Sequence, residues 1–371
     1  VNLIGEHTDY TGGYVFPAAL TFGTWAVVRA RDDGKYQFAS TGFSGVVSCH
    51  RANIVYKEED DWANYAKGVV KEWGAYVAKR PELGNVENVL TGADVLFHGN
   101  IPHGAGLSSS ASVEMVTAVA LAGLASLSVP MIDLVKLAQR AENHFVGVNC
   151  GIMDQFAVGM GKKEHAVMLK CDTMSYEYVP LRLGDYLLVV THTNKRRGLA
   201  DSKYNERRRE CEQGLVQVQE YLPHVDRLGD LSLSDWLSIR GNIPKGAVRN
   251  RIEHVVSENE RVRSAVTSLG HNDLTAFGQL MYESHESLRD LYDVTGAELD
   301  ALFSAARDVD GCIGSRMTGA GFGGCTVSLV HGDKLDVFQR SVSQSYTAQT
   351  GLTPDFYVCH IGDGAMEMTE G

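Results

Sequence analysis

The stretch GEHTDYTGG sets Glu6, His7, Thr8, Asp9 and Tyr10 side by side and follows them with Gly12 and Gly13 after one threonine. Carboxylates and an imidazole at that density could ligate a metal ion, bond the hydroxyls of a polyhydroxylated ligand, or form a solvated turn, and these residues alone leave all three open. A second group lies in AENHFVGVNCGIMDQFAVGM. Glu142 sits at the edge of the apolar stripe Leu134, Ala138, Ala141, Phe145 and Val148, where a carboxylate could reach inward to a magnesium ion; an exposed helical Glu is the ordinary alternative. Asp154, in an otherwise apolar segment, reads equally as a helix cap or as a base held close to a hydroxyl.

Two glycine-rich stretches accompany these side chains. In GNIPHGAGLSSSASVEMVTAVAL, Gly104 and Gly106 permit backbone shapes that bulkier residues resist, three serines follow, and an apolar helix begins at once. Such a loop aims the unpaired N–H groups of a helix N-terminus at its contents, and a phosphate suits it; a serine-capped helix after a glycine turn is the plainer reading. The P-loop pattern G-x-x-x-x-G-K-[ST] is absent, as are the H-R-D and D-F-G signatures of protein kinases. The second stretch, MTGAGFGGCTVSLV, contains a formal G-x-G-x-x-G at Gly319, Gly321 and Gly324. It runs into a strand-like segment where a dinucleotide fingerprint would open a helix, so its glycines suit a backbone packed against a ligand or against the first loop.

The elements that must carry these groups follow from periodicity. Short β-branched or aromatic runs predict strands at 24–30, 93–98, 166–170, 186–191, 325–330 and 356–360. Helical periodicity covers 62–78, 110–127, 132–148, 200–221, 247–266, 274–291 and 296–307, with a further candidate at 334–346. Strands prevail early and helices late, which predicts two α+β domains with a boundary near residues 172–185. The charge run Lys203 to Glu210 reads as a solvated helix face. At 371 residues and 44% hydrophobic composition the chain is globular, and its net charge of −12 offers no long-range attraction to nucleic acid or an anionic membrane. Seven scattered cysteines without zinc spacing suit reduced thiols in a cytoplasm, and no segment has the length and apolarity of a membrane span.

Taken together, VNLIGEHTDYTGG, PHGAGLSSSAS, NCGIMDQ and MTGAGFGGC resemble, in order and spacing, the motifs of the GHMP small-molecule kinases. The first resembles the signature of the galactose-phosphorylating branch. That resemblance implies a two-domain α+β fold with the active site in the interdomain cleft, residues 1–175 and 176–371 forming the domains and the last strand returning to the first. It implies ATP-dependent phosphorylation of α-D-galactose at the C1 hydroxyl, with Mg²⁺ as cofactor. Carried over residue by residue, Asp154 is the catalytic base, and Glu6, His7, Thr8, Asp9, Gly151 and Tyr204 bind the sugar. Gly104, Ala105, Gly106, Leu107, Ser108, Ser109 and Ser110 wrap the ATP phosphates, and Ser110 and Glu142 hold Mg²⁺. Ser40 and Trp62 fall near the adenosine end. The partners are then galactose and ATP, with no nucleic acid and no membrane, in a cytoplasmic monomer rather than an obligate oligomer.

The family carries an arginine immediately before the position of Val1, where a positive charge would stabilise the transferring phosphoryl group and lower the pKa of the catalytic aspartate. A complete molecule lacking it is expected to be badly impaired, and a longer native chain that supplies it is expected to show ordinary activity. Two other readings share these motifs: a kinase for N-acetylgalactosamine or another sugar, and a non-catalytic galactose-sensing paralogue. The intact Ser110–Ala111 pair favours an enzyme over the sensor.

Overall fold

The structure is a computed structural model and describes residues 1–102, 106–195 and 200–368. Its strands are β1 (Tyr14–Val15), β2 (Thr24–Ala30), β3 (Lys35–Ser40), β4 (Phe43–His50), β5 (Ala93–Gly99), β6 (His165–Lys170), β7 (Ser175–Pro180), β8 (Tyr186–His192), β9 (Cys312–Thr318), β10 (Cys325–His331) and β11 (Asp355–Cys359). Its helices are α1 (Ala63–Ala78), α2 (Val86–Val89), α3 (Ser109–Leu124), α4 (Met131–Arg140), α5 (Met153–Met160), α6 (Ala200–Gln219), α7 (Leu233–Ile239), α8 (Ala247–Gly270), α9 (Leu274–Ser287), α10 (Gly296–Arg307) and α11 (Leu335–Thr350).

Packing gathers these elements into two compact units that interleave along the chain. One holds Val1–Leu20, Lys162–Gly362 and the short stretch ending at Leu107; the other holds Thr21–Pro102, Ser108–Gly161 and the residues from Asp363 onward. These units are not the sequence-continuous halves 1–175 and 176–371. The N-terminal twenty residues join the later ones because β1 pairs with β6, through Tyr14 to Lys170, and because α8 bonds the backbone of the signature loop.

In the unit built around residues 21–102, the sheet runs β2-β5-β3-β4, with β3 parallel to β5 and the other pairs antiparallel. Alternation decides its faces: Ala93, Val95 and Phe97 of β5 are buried while Leu96 and His98 are exposed. Helix α3 is rich in alanine, packs against α1 and β2, and buries Ala111, Met115, Ala118 and Ala122. Its C-terminus is closed by Ser126 at φ 52° and by the Leu127 N–H on the Ala122 carbonyl (3.0 Å).

In the other unit, β11-β8-β10-β9 form an antiparallel sheet and β1-β6-β7 a smaller one. With β10 on one side of β8, β11 takes the other side, Tyr357 opposite Val190; the segment after β11 then bridges Leu20 through Ile361 and bonds Ala19 through the Gly362 N–H (2.9 Å), while the N–H groups of Gly364 and Ala365 bond the carbonyls of Gly161 and Val158. The run Lys203 to Glu210 also departs from a fully solvated face, since Arg207 is buried and donates to the carbonyls of Tyr292 and Asp293, both at 2.9 Å.

Candidate active site

The signature loop is shaped by its backbone. Gly5 (φ 92°) and His7 (φ 61°) both adopt the left-handed conformation, which reverses the chain around Glu6. A side chain at Gly5 would meet the Tyr14 carbonyl oxygen at 2.7 Å, so only glycine fits. Thr8 is buried with its hydroxyl within hydrogen-bond distance of the Gly5 (2.9 Å) and Tyr14 (2.6 Å) carbonyls, so it closes the loop on itself. Asp9 opens the single turn Asp9–Thr11, which Gly12 ends at φ 77°.

Two buried side chains leave this loop in different company. Glu6 pairs with the buried Arg316 at 3.0 Å; burial raises its pKa to about 7 although Arg316 pulls the other way. His7 places Nδ1 2.9 Å from the Tyr10 hydroxyl, which lies 2.7 Å from that of Tyr292. Burial, then the neighbouring His254, lowers the His7 pKa to about 3, so the ring is neutral. Its Nε2 is buried and has no protein hydrogen-bond partner. Tyr204, on α6, brings its ring within 5.6 Å of His7 and 5.4 Å of Tyr10. The neutral His7 ring, set among the rings of Tyr10, Tyr204 and Tyr292, suits an uncharged hydroxylated ligand better than a metal ion, because Glu6 and His7 are committed to different partners.

The second unit assembles the other candidates. Ser108 precedes α3 in the left-handed conformation (φ 58°) and makes no side-chain cap, so the serine-capped reading fails and the first N–H groups of the helix are not spent on a capping side chain. Ser109 and Ser110 are the first residues of α3. Gly106 is left-handed at φ 68° and Leu107 is buried; Gly104 and Ala105 lie outside the described residues. The helix expected over 132–148 is interrupted, since α4 ends at Arg140 and a wide π turn spans Ala141–Val146. That turn buries Glu142, against the ordinary exposure of a helical Glu.

Around Glu142 the side chains converge. Its carboxylate is hydrogen-bonded by Ser110, receives Gln155 Nε2 at 2.6 Å and has Cys150 Sγ at 3.5 Å. Burial and then Asp154 raise its pKa. The same Gln155 amide nitrogen donates to Glu114 at 2.9 Å, and burial, followed by Glu142, holds the Glu114 carboxyl well above its usual range. Asp154 stands in the first turn of α5, partly exposed, beside Gly151 in the preceding turn. Ser40 ends β3 with its hydroxyl accepting from the Gly42 N–H (3.3 Å), and Trp62 stacks on Phe43 at 5.6 Å.

Sequence reasoning overlooked Glu114, Gln155, Arg316, His254 and Glu258. Glu114 had a signal, as the sole charged residue of the apolar helix α3, and so did Arg316, alone among uncharged residues in β9. His254 and Glu258 had none, lying on a helix dense with charges.

The second glycine stretch supports the expected close packing. Gly319, Gly321, Gly323 and Gly324 all have positive φ, and a Cβ on Gly319 would lie 3.4 Å from the Gly106 carbonyl oxygen. The strand after it, β10, excludes the dinucleotide frame.

Comparison with known proteins agrees with this arrangement. Residues 1–30 match the galactokinase galactose-binding signature, 64–162 the GHMP kinases N terminal domain, and 265–348 the GHMP kinases C terminal domain. The crystal structure of Lactococcus lactis galactokinase complexed with galactose superposes with a TM-score of 0.92 at 41% identity, covering 99% of this chain and 92% of that one. Methanococcus jannaschii mevalonate kinase shares the fold alone, with a TM-score of 0.69 at 17% identity over 98% of this chain and 96% of that one. The galactokinase of Bacillus subtilis is 50% identical over 99% of this chain and 92% of its own length. That of Fusobacterium nucleatum is 51% identical over 98% and 92%. With such identity sustained over nearly the whole chain, it belongs to the galactokinase family of the GHMP kinases.

Proposed function

We propose that the chain transfers the γ-phosphoryl group of ATP to the C1 hydroxyl of α-D-galactose, giving galactose 1-phosphate and ADP. The observation that carries this reading is the convergence of Ser110, Glu142 and Gln155 beside Asp154, where α3 begins without a side-chain cap. Oxygen donors and uncapped N–H groups suit phosphates and a hard cation, and Asp154 is the residue there to take the proton from the sugar as its oxygen bonds phosphorus and the bond to ADP breaks. Gly104 to Ser110 wrap the phosphates, and Ser40 and Trp62 approach the adenosine end. Glu6, His7, Thr8, Asp9, Gly151 and Tyr204 receive galactose, Thr8 chiefly by closing the loop.

The donor set fits magnesium. Ser110 and Glu142 present hard oxygens side by side. When bound, the ion neutralises charge on the phosphates. Seven free thiols support a reducing, cytoplasmic setting. Among the described residues no helix is long and apolar enough to cross a membrane. We read the enzyme as a monomer.

A coupled assay for ADP release across galactose, N-acetylgalactosamine and glucose tests the substrate; a clear preference for another sugar overturns the choice of galactose. For Asp154→Asn, turnover is expected to fall by about 10² to 10⁴ while galactose and ATP still bind. Unchanged turnover would remove Asp154 from its role.

A further inference from the structure

One turn of α8 grips the peptide backbone on which Glu6 and His7 are mounted. Glu258 is fully buried, and its Oε1 accepts the N–H of Gly5 (2.9 Å), the N–H of Glu6 (3.2 Å) and the hydroxyl of Ser284 (2.6 Å). Two successive backbone N–H groups on one carboxylate oxygen make an anion nest, here filled by the protein's own side chain. Its other oxygen takes Arg261 at 2.7 Å. Burial alone would raise this carboxyl, but the charges of Arg261, His254 and Arg316 outweigh it and hold the group ionised, well below the usual range.

The opposite pole of the same residue is read by His254, four positions earlier on α8. Its Nε2 lies 3.1 Å from the Glu6 carbonyl oxygen, which only an N–H can satisfy, so Nε2 carries the proton and Nδ1 accepts from the Ser287 hydroxyl at 2.8 Å. Next to Glu258, Asn259 accepts the Tyr14 N–H at 2.8 Å and so fixes the far end of the loop. Between these anchors stands His7 at φ 61°, a conformation that costs an L-residue about 1–2 kcal/mol and persists only where its surroundings over-determine it.

We propose that His254 and Glu258 are positioning residues for sugar recognition: they hold the Gly5–His7 backbone in its reversed shape, which aims Glu6 and His7 at the sugar, and so set affinity for galactose without setting affinity for ATP. The inference rests on the reading that this loop receives galactose. Neither residue touches the sugar in this scheme; each acts through the peptide of Glu6.

The test uses the full chain with Glu258→Gln, His254→Leu and His254→Gln. Galactose dissociation constants come from calorimetry without nucleotide, steady-state constants for both substrates from the ADP assay, and folding from thermal melts. Glu258→Gln and His254→Leu are expected to raise the galactose dissociation constant and KM about 10- to 100-fold, with KM for ATP moving less than about threefold. His254→Gln, which can restore an N–H toward the Glu6 carbonyl, is expected to stay within about threefold of wild type. If folded variants lose thermal stability but keep wild-type galactose affinity, the two residues are structural only and the proposal is wrong. Equal weakening by Leu and Gln at 254 overturns it too. Should Glu258→Gln not fold, the His254 pair decides. A wild-type chain that binds and turns over no galactose overturns the functional reading, and this inference with it.

Discussion

Two histidines beside the signature loop stay neutral because water does not reach them: burial lowers the pKa of His254 to about 4 and that of His7 to about 3. Between pH 6.5 and 4 the unfolded chain takes up a proton at each position and the folded chain does not, so stability contributed there is lost as the pH falls. Glu6, Glu114 and Glu142, whose carboxyls are raised by burial, act in the opposite sense, so the raw pH profile of the protein mixes opposing contributions. The diagnostic quantity is a difference. Relative to His254→Gln, the wild type is expected to lose about 3 kcal/mol of unfolding free energy between pH 7 and pH 4, measured by urea denaturation at both ends. A difference that stays constant with pH would show that His254 is not held neutral. The loop itself was legible in the sequence because Glu6, His7 and Asp9 crowd one short stretch. Its supports were not, since Glu258 and Arg316 stand 252 and 310 residues away from Glu6 and no local spacing links them to it.

Among the elements, the contact of α9 with β9 depends on two facing glycines. A Cβ on Gly314 would fall 2.6 Å from the Gly278 Cα, and one on Gly278 would press into the carbonyl oxygen of Ile313, which is backbone and has no rotamer to yield. Helix propensity alone makes Gly278→Ala stabilising by about 1 kcal/mol. Packing should reverse that sign, and we expect a net loss of about 2–4 kcal/mol, seen as a lower denaturation midpoint with an unchanged slope. A neutral or stabilised variant would show that α9 can slide away from the sheet. The same contact explains what pattern reading lost. β9 reads CIGSRMT, where a glycine and a buried arginine break the alternation that marks a strand, and both are there for tertiary reasons, Gly314 for α9 and Arg316 for Glu6. The strands β2, β5, β8 and β10 were legible within a residue at either end, as short runs rich in β-branched, aromatic and other apolar residues. The π turn at Ala141–Val146 escaped because helical periodicity runs through it while the backbone widens to bury Glu142.

At the scale of the molecule, the 371 residues carry a net charge of −12, and it bears on how the nucleotide arrives. Magnesium-bound ATP is itself an anion, so at low ionic strength the far field of the protein opposes its approach, while uncharged galactose feels no such force. The Debye length shrinks from about 30 Å at 0.01 M salt to about 8 Å at 0.15 M, which removes the far field and leaves the local contacts of the phosphate loop. Raising sodium chloride through that range at saturating galactose should therefore leave kcat/KM for ATP level or raise it about two- to threefold. KM for galactose should not move. A protein that gathers phosphates with a wide basic surface behaves in the opposite way, losing affinity steeply as counterions compete. A steep decline here would mean that a local cluster of lysine and arginine dominates the nucleotide's approach, and that backbone N–H groups and a bound cation are not the principal phosphate holders.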